Sequence, residues 1–277
     1  MNELTIIEIR EIEQTIRDVY DYDFSNYAMT SFKSRLERLI MKYNIINAGN
    51  LIHKLKEEKD FFDTFLFEIS IPSTEMFRDP SVWRWLREEF FPSAINNLTG
   101  KFRIMIPCCV SGGELYSLAI LLHEMDIMDR VQIYASSISN TAIELIKNGL
   151  YDLKKIGFSE ENYKRYSGNR GELSRYYTIE RYHALRDTSL IKDVEIKKVR
   201  TCLDEMPQNI KLILFRNNFI YFNPALQDKA LRHLHNTLSV NGYLILGIQE
   251  KINSSGTFNG FETLNETERV YRKKQLN

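Results

Sequence analysis

The stretch "CCVSGGELYSLAILL", residues 108–122, closes one apolar run and opens an apolar helical one. Gly112 and Gly113 let backbone N–H groups approach a ligand closely at a helix N-terminus, where unpaired donors and the helix dipole favour an anion. Ser111 and Glu114, three apart just ahead of the apolar run, also make a capping box, which needs no ligand. Neither the GxGxxG spacing nor a P-loop occurs, so the glycines carry no dinucleotide or triphosphate fingerprint. Considered by themselves, Arg78 could simply pair with Asp79 and Tyr221 could be core. His233 and His235 stand two apart on a predicted helix and point different ways, so no metal site is expected. Cys108, Cys109 and Cys202 form neither a disulfide framework nor a paired zinc motif.

The elements that must position these residues follow from periodicity. Residues 1–70 read as helical: Ile9, Ile12, Ile16 and Val19 recur at helical spacing, as do Phe32, Leu36, Leu39 and Ile40, and 51–69 is a third amphipathic, Phe-rich segment. On the second helix Lys33, Arg35, Arg38 and Lys42 face one acid, Glu37, which makes either a solvated face or a docking surface for an acidic partner. Pro72, Pro80 and Pro92 around a short aromatic helix mark a linker over 71–92. From 93 to 277, apolar strands ("FRIMIP", "VQIYASS", "KLILF", "YLILGI") alternate with helices. Gly149 is expected to end one helix, and Asn241–Gly242 to end the one that starts at Pro224. Strands apolar along their whole length imply a parallel sheet covered on both faces, a doubly wound α/β domain with its ligand beyond the strand C-termini at the switch in strand order. The tyrosine-rich 150–200 stretch, ending in "VEIKKV", interrupts the alternation as a small insertion.

Lys plus Arg and Asp plus Glu number 37 each, so net charge supports neither a nucleic-acid nor a membrane partner. Residues 1–20 lack the apolar centre of a signal peptide, and no apolar run approaches the ~20 residues of a membrane span. A cytoplasmic location is expected.

Three ordered strings are more specific than the loop alone: "TEMFRD" (74–79), "CVSGGELYSLAILL" (109–122) and "LFRNNFIYF" (214–222). With "NGLYDL", "VNGYLILGIQE" and "VYRKK" alongside them, the whole chain resembles the CheR-type chemotaxis receptor methyltransferases, whose strings read TxFFRD, CSTGEEPYSLA and CRNVLIYF. The resemblance implies an all-α N-terminal domain and a Rossmann-like domain with a small β insertion at about 156–195. The implied cofactor is S-adenosylmethionine. The implied reaction forms methyl esters on glutamate side chains of a chemoreceptor's helical cytoplasmic domain, the protein partner. Matched by position, Thr74, Arg78, Cys109, Gly112, Glu114, Ser137, Cys202, Leu203, Arg216 and Asn217 stand at cofactor positions, and Arg78 and Tyr221 stand near the transferred methyl.

Four positions depart from the pattern. Ser137 replaces the acid that grips the ribose hydroxyls, Cys202 replaces an asparagine near the adenine, Gly113 replaces the first glutamate of GEE, and Pro72 replaces a polar residue. Losing a charged ribose partner should cost about 1.5–3 kcal/mol, roughly ten- to a hundredfold in affinity. The alternative reading is therefore a CheR-like binding module with weakened or lost catalysis. A doubly wound oxidoreductase or small-molecule methyltransferase comes third, and the missing GxGxxG argues against the oxidoreductase.

Overall fold

The computed structural model describes residues 3–70, 75–96, 98–204, 207–252 and 258–275. Four helices build the N-terminal part: α1 (Ile6–Tyr20), α2 (Met29–Lys42), α3 (Ala48–Glu57) and α4 (Phe61–Ile69). A Thr5–Glu8 capping box starts α1. Ile9, Ile12 and Ile16 are fully buried with Phe32, Leu36, Leu51 and Phe65, whereas Val19 stays partly exposed. The amphipathic, Phe-rich segment 51–69 spans two helices, because the chain turns at Lys59–Asp60 so that both Leu55 and Phe62 reach one core.

Helices α5 (Pro80–Trp85) and α6 (Phe91–Ile95) are joined by a π-helical turn, Leu86–Phe90. In this stretch, read from sequence as a linker, Val82, Trp83, Leu86 and Phe90 are buried in the same core as the main sheet. Then come β1 (Phe102–Ile106), α7 (Gly113–Glu124), β2 (Val131–Ser137), α8 (Asn140–Lys147), β3 (Leu150–Asp152), α9 (Ile156–Ser167), β4 (Tyr177–Glu180) and β5 (His183–Arg186). After them lie β6 (Glu195–Lys198), β7 (Ile210–Leu214), α10 (Pro224–Thr237), β8 (Leu238–Ile245), β9 (Phe261–Asn265) and β10 (Val270–Lys273).

The main sheet runs β6-β2-β1-β7-β8-β10-β9. Its first five strands are parallel, and β10 pairs antiparallel with both β8 and β9. Chain order reverses between β1 and β7, where Ile104 pairs with both Ile133 and Leu212, so the ligand crevice of a doubly wound sheet lies beyond those two strands. Helix α7 is apolar nearly all round because it is covered nearly all round: Leu115 through Leu122 are all buried.

Two expectations need correction here. "VEIKKV" is not part of the insertion but the parallel edge strand β6, paired with β2. Asn241–Gly242 does not end α10, which stops at Thr237; it forms an irregularity inside β8, with Asn241 at φ 58°. Gly149 does follow α8 in the left-handed conformation, at φ 70°. The insertion itself is a three-stranded antiparallel sheet, β3-β5-β4. Its tyrosines have a specific use: Tyr163, Tyr166 and Tyr176 all donate to the Glu124 carboxylate at the end of α7, docking the insertion on the main domain.

Candidate active site

The site grows from three chain segments at the switch point. The first, 75–79, is pinned in an uncommon conformation. The Met76 N–H donates to the Tyr151 and Ser159 hydroxyls, and the Phe77 N–H to Ser117 Oγ at 2.7 Å. Phe77 and Asp79 both have positive φ, 53° and 54°, costly for a bulky residue such as Phe77 and tolerated here because the surroundings over-determine it. Between them, the Arg78 carbonyl accepts from the Trp83 indole at 2.9 Å and from Arg216 Nη2 at 3.1 Å. Its side chain lines the crevice and has no hydrogen-bond or ion-pair partner among the described residues. Thr74 and Pro72 lie outside the described residues.

The second segment is the glycine loop after β1. Gly112, at φ 72°, precedes the first residue of α7; a Cβ there would stand 3.1 Å from Ile146 and 3.4 Å from both terminal nitrogens of Arg186. The capping box expected of Ser111 and Glu114 does not form. Among the described residues Ser111 Oγ accepts only from the Gly113 N–H, at 3.4 Å, and Glu114 turns instead to Arg216 Nη1 at 3.1 Å. Cys109 serves through its backbone, its N–H donating to Ser136 O at 2.7 Å, while burial pushes its thiol up to about 12, well away from thiolate chemistry.

The third segment follows β7. Arg216, 6% exposed, joins Glu114 to Asp79, whose Oδ2 lies 2.7 Å from Nη2. Burial raises the Glu114 carboxyl, and Arg216 works against that rise. Asn217 also faces the crevice. Tyr221 does not line it: its ring lies under Arg35, with the guanidinium carbon 4.2 Å from the centroid.

Arg35 is therefore not part of a basic docking face. It is 3% exposed and donates to the Ile69 carbonyl. Lys33 is paired with Glu3 and Glu37, and Lys42 with Glu68, so of the four cations only Arg38 projects freely among the described residues.

Whether a nucleoside sulfonium fits can be tested on the space itself. Around Glu75, Arg78, Glu114 and Arg216 a cavity of about 40 Å³ remains, and the residue types suit a charged amino-acid end: a carboxylate for an ammonium, guanidinium and loop N–H groups for a carboxylate. The ribose end does not fit as arranged here. Only about 20 Å³ remains between Phe24, Tyr27, Ile69, Ser137, Ile138 and Cys202, room for about one water and far short of a sugar ring. Ser137 is fully buried and its hydroxyl has no partner among the described residues. Cys202 does not stand as a free contact. Contrary to the sequence expectation, it is bonded to Cys108 across the crevice, with Cα atoms 5.3 Å apart. Beyond Cys202–Leu203 a larger cavity of about 470 Å³ opens among Tyr22, Tyr27, Arg200 and Lys229.

One buried residue escaped the sequence reading. Arg186, on β5, stacks on Tyr116 and Tyr151 at 4.0 and 4.7 Å, donates to the Gly149 and Leu150 carbonyls, and leaves Nη1 without a partner among the described residues. Burial pulls its guanidinium down to about 10. Nothing in "HALRD" signals this, since its surroundings come from α7 and β3.

Comparison with known proteins now decides the family. The model for the CheR methyltransferase S-adenosylmethionine-binding domain matches residues 72–270, and that for the CheR all-alpha domain matches residues 7–70. The chain belongs to the CheR methyltransferase family. Cher3 of Pseudomonas putida, named as a methyltransferase, is 34% identical to this CheR-family chain over 269 residues, covering 97% of each. A chemotaxis protein methyltransferase of Listeria monocytogenes is 24% identical over 88% of this chain and 89% of its own. Chemotaxis protein methyltransferase 1 of Pseudomonas aeruginosa is 26% identical over 80% and 81%. Among the described residues, no helix of this CheR-family member is long and apolar enough to cross a membrane.

Proposed function

We propose that this CheR-family protein transfers a methyl group from S-adenosylmethionine to glutamate carboxylates of a chemoreceptor-like protein. The observation that carries the reading is Arg78: a guanidinium held by its backbone between two strained residues, aimed into the switch-point crevice and left without a partner among the described residues. The cofactor supplies an electrophilic methyl. A substrate carboxylate is ionised near neutral pH, so the chain need not supply a strong base, and its task is to hold the carboxylate in line. Arg78 can do this through its planar fork. Glu114, Arg216, Gly112 and Asn217 are the residues that would hold the cofactor's amino-acid end. An open groove of about 630 Å³ passes Arg38, Lys42, Asp152 and Lys155 and reaches Val110 and Ser111, which also line the Arg78 cavity, so a protein segment has a route to it.

A second reading has its own support. The Cys108–Cys202 bond, the buried Ser137 and the Phe24–Tyr27 wall leave no room for ribose, which favours a CheR-like binding module without turnover. Calorimetry with S-adenosylhomocysteine, with and without a thiol reductant, separates the two. Binding followed by transfer of labelled methyl to receptor-containing membranes is the expected result; no heat at millimolar ligand under either condition would leave only the module.

A further inference from the structure

We propose that Glu250 is a positioning residue for the cofactor-facing turn after β7, a role that rests on the cofactor reading above. Glu250 is 3% exposed. Its Oε2 accepts the N–H groups of Asn217 and Gly247, both at 2.7 Å, and its Oε1 accepts that of Ile220 at 3.3 Å. No cation pairs with it among the described residues, so backbone donors alone hold the charge.

The Asn217 bond matters most. The peptide joining Arg216 to Asn217 is fixed at both ends: Glu250 takes its N–H, and Asn218 Nδ2 donates to its carbonyl at 3.0 Å. With the plane fixed, Asn217 stays at φ 59°, a conformation asparagine tolerates better than most residues, and Arg216 and Asn217 leave the chain in set directions. The turn after β8 packs directly on this arrangement. A Cβ on Gly247 would stand 2.6 Å from Asn217 Oδ1 and 3.0 Å from the Asn217 nitrogen. One carboxylate thus ties the exits of β7 and β8 together behind the crevice. A carboxylate is the group suited to this, because its two oxygens accept from several N–H donors at once, whereas an amide would turn an NH₂ toward one of them.

The test uses the full chain and S-adenosylhomocysteine as probe. Glu250→Gln is expected to weaken probe binding ten- to thirtyfold by calorimetry and to speed amide exchange at Asn217 and Ile220. Arg269→Ala is the control, since Arg269 Nε donates to the Ile248 carbonyl at 3.1 Å and braces the same β8 turn without reaching Asn217. It should lose stability but keep its affinity within about twofold. Equal affinity losses in both variants would mean that Glu250 only stabilises the turn, and the role would be overturned. If Glu250→Gln does not fold, Gly247→Ala presses on Asn217 and on Glu250 Oε2, 3.0 Å from such a Cβ, and so disturbs the same bond; it should lose affinity similarly, and unchanged binding would overturn the role. Wild-type protein that takes no probe, reduced or oxidised, sinks the cofactor reading and this role together. Wild-type binding matched by Glu250→Gln sinks this role alone.

Discussion

At the scale of single residues, the two positions that matter most differ in what surrounds them. Arg78 has its backbone fixed and its charge unspent, so removing the side chain should leave the fold intact. Arg78→Ala is expected to lower methyl transfer at least a hundredfold while the thermal midpoint moves by no more than about 2 °C; transfer at the wild-type rate would remove Arg78 from the chemistry. Ser137 is the reverse case, fully buried with an unpartnered hydroxyl where the family has an acid. Ser137→Asp buries a carboxylate with nothing to hold it and should cost the free protein about 1–3 kcal/mol. Two ribose hydroxyls would satisfy that acid, so the thermal upshift on adding S-adenosylhomocysteine should exceed that of wild type. An equal or smaller upshift would mean that residue 137 does not face the ribose.

Between elements, the Arg216 bridge does what no single helix could. It ties the first turn of α7 to the segment before α5, with Glu114 and Asp79 both largely shielded from water. Breaking such a buried arrangement leaves uncompensated charge, so Arg216→Met should cost about 3 kcal/mol in urea unfolding, whereas the triple change with Glu114→Gln and Asp79→Asn should recover most of it. No recovery would show that packing against Trp83, rather than charge, sets the cost. This bridge also marks what could be read from sequence. Arg216, Glu114 and Arg78 were legible because their strings resemble the family's, and for Glu114 and Arg216 also because those strings follow apolar strands, whose positions periodicity gives. Their mutual pairing was not legible, because residues 78, 114 and 216 meet only through the sheet's crossovers. For the same reason Ser111 and Glu114 read as a capping box: the local pattern fits one, but a buried arginine competes for the glutamate and wins. Arg35 looked like surface because periodicity cannot tell a helix's solvent face from a face that another domain covers. The Cys108–Cys202 bond joins positions 94 residues apart and was illegible for the same reason as the Arg216 bridge.

Across the whole molecule, the helical part is tied to the sheet domain by the Arg200–Asp21 ion pair, by the backbone bonds Ala28–Tyr221 and Asn26–Asn223, and by one multiply bonded carboxylate. Asp63 on α4 accepts from the Asn140 and Thr141 N–H groups at 2.8 and 2.9 Å, from the Ser139 and Thr141 hydroxyls, and from Lys198 at 3.3 Å. It thereby caps α8 from a different domain, immediately after the strand that ends at Ser137. Burial acts to raise its pKa, but the donors outweigh burial and hold it below the usual carboxylate range. A depressed folded-state value means that this contribution is fully present above the unfolded value near 4 and is lost as pH falls through the lower folded value. Asp63→Asn keeps the shape but loses the charge, and should cost about 1–2 kcal/mol at pH 7. The gap between variant and wild type should hold from pH 7 down to about 4 and narrow only below that, when followed by urea unfolding across pH. Because Asp63 closes the wall that runs beside Ser139 and Ile138, the same variant should also loosen the seam between Phe24–Tyr27 and the sheet, seen as faster amide exchange at Tyr27, whose N–H donates to Phe24 O. A gap that widened as pH dropped from 7 to 5 would assign the lock to some other group.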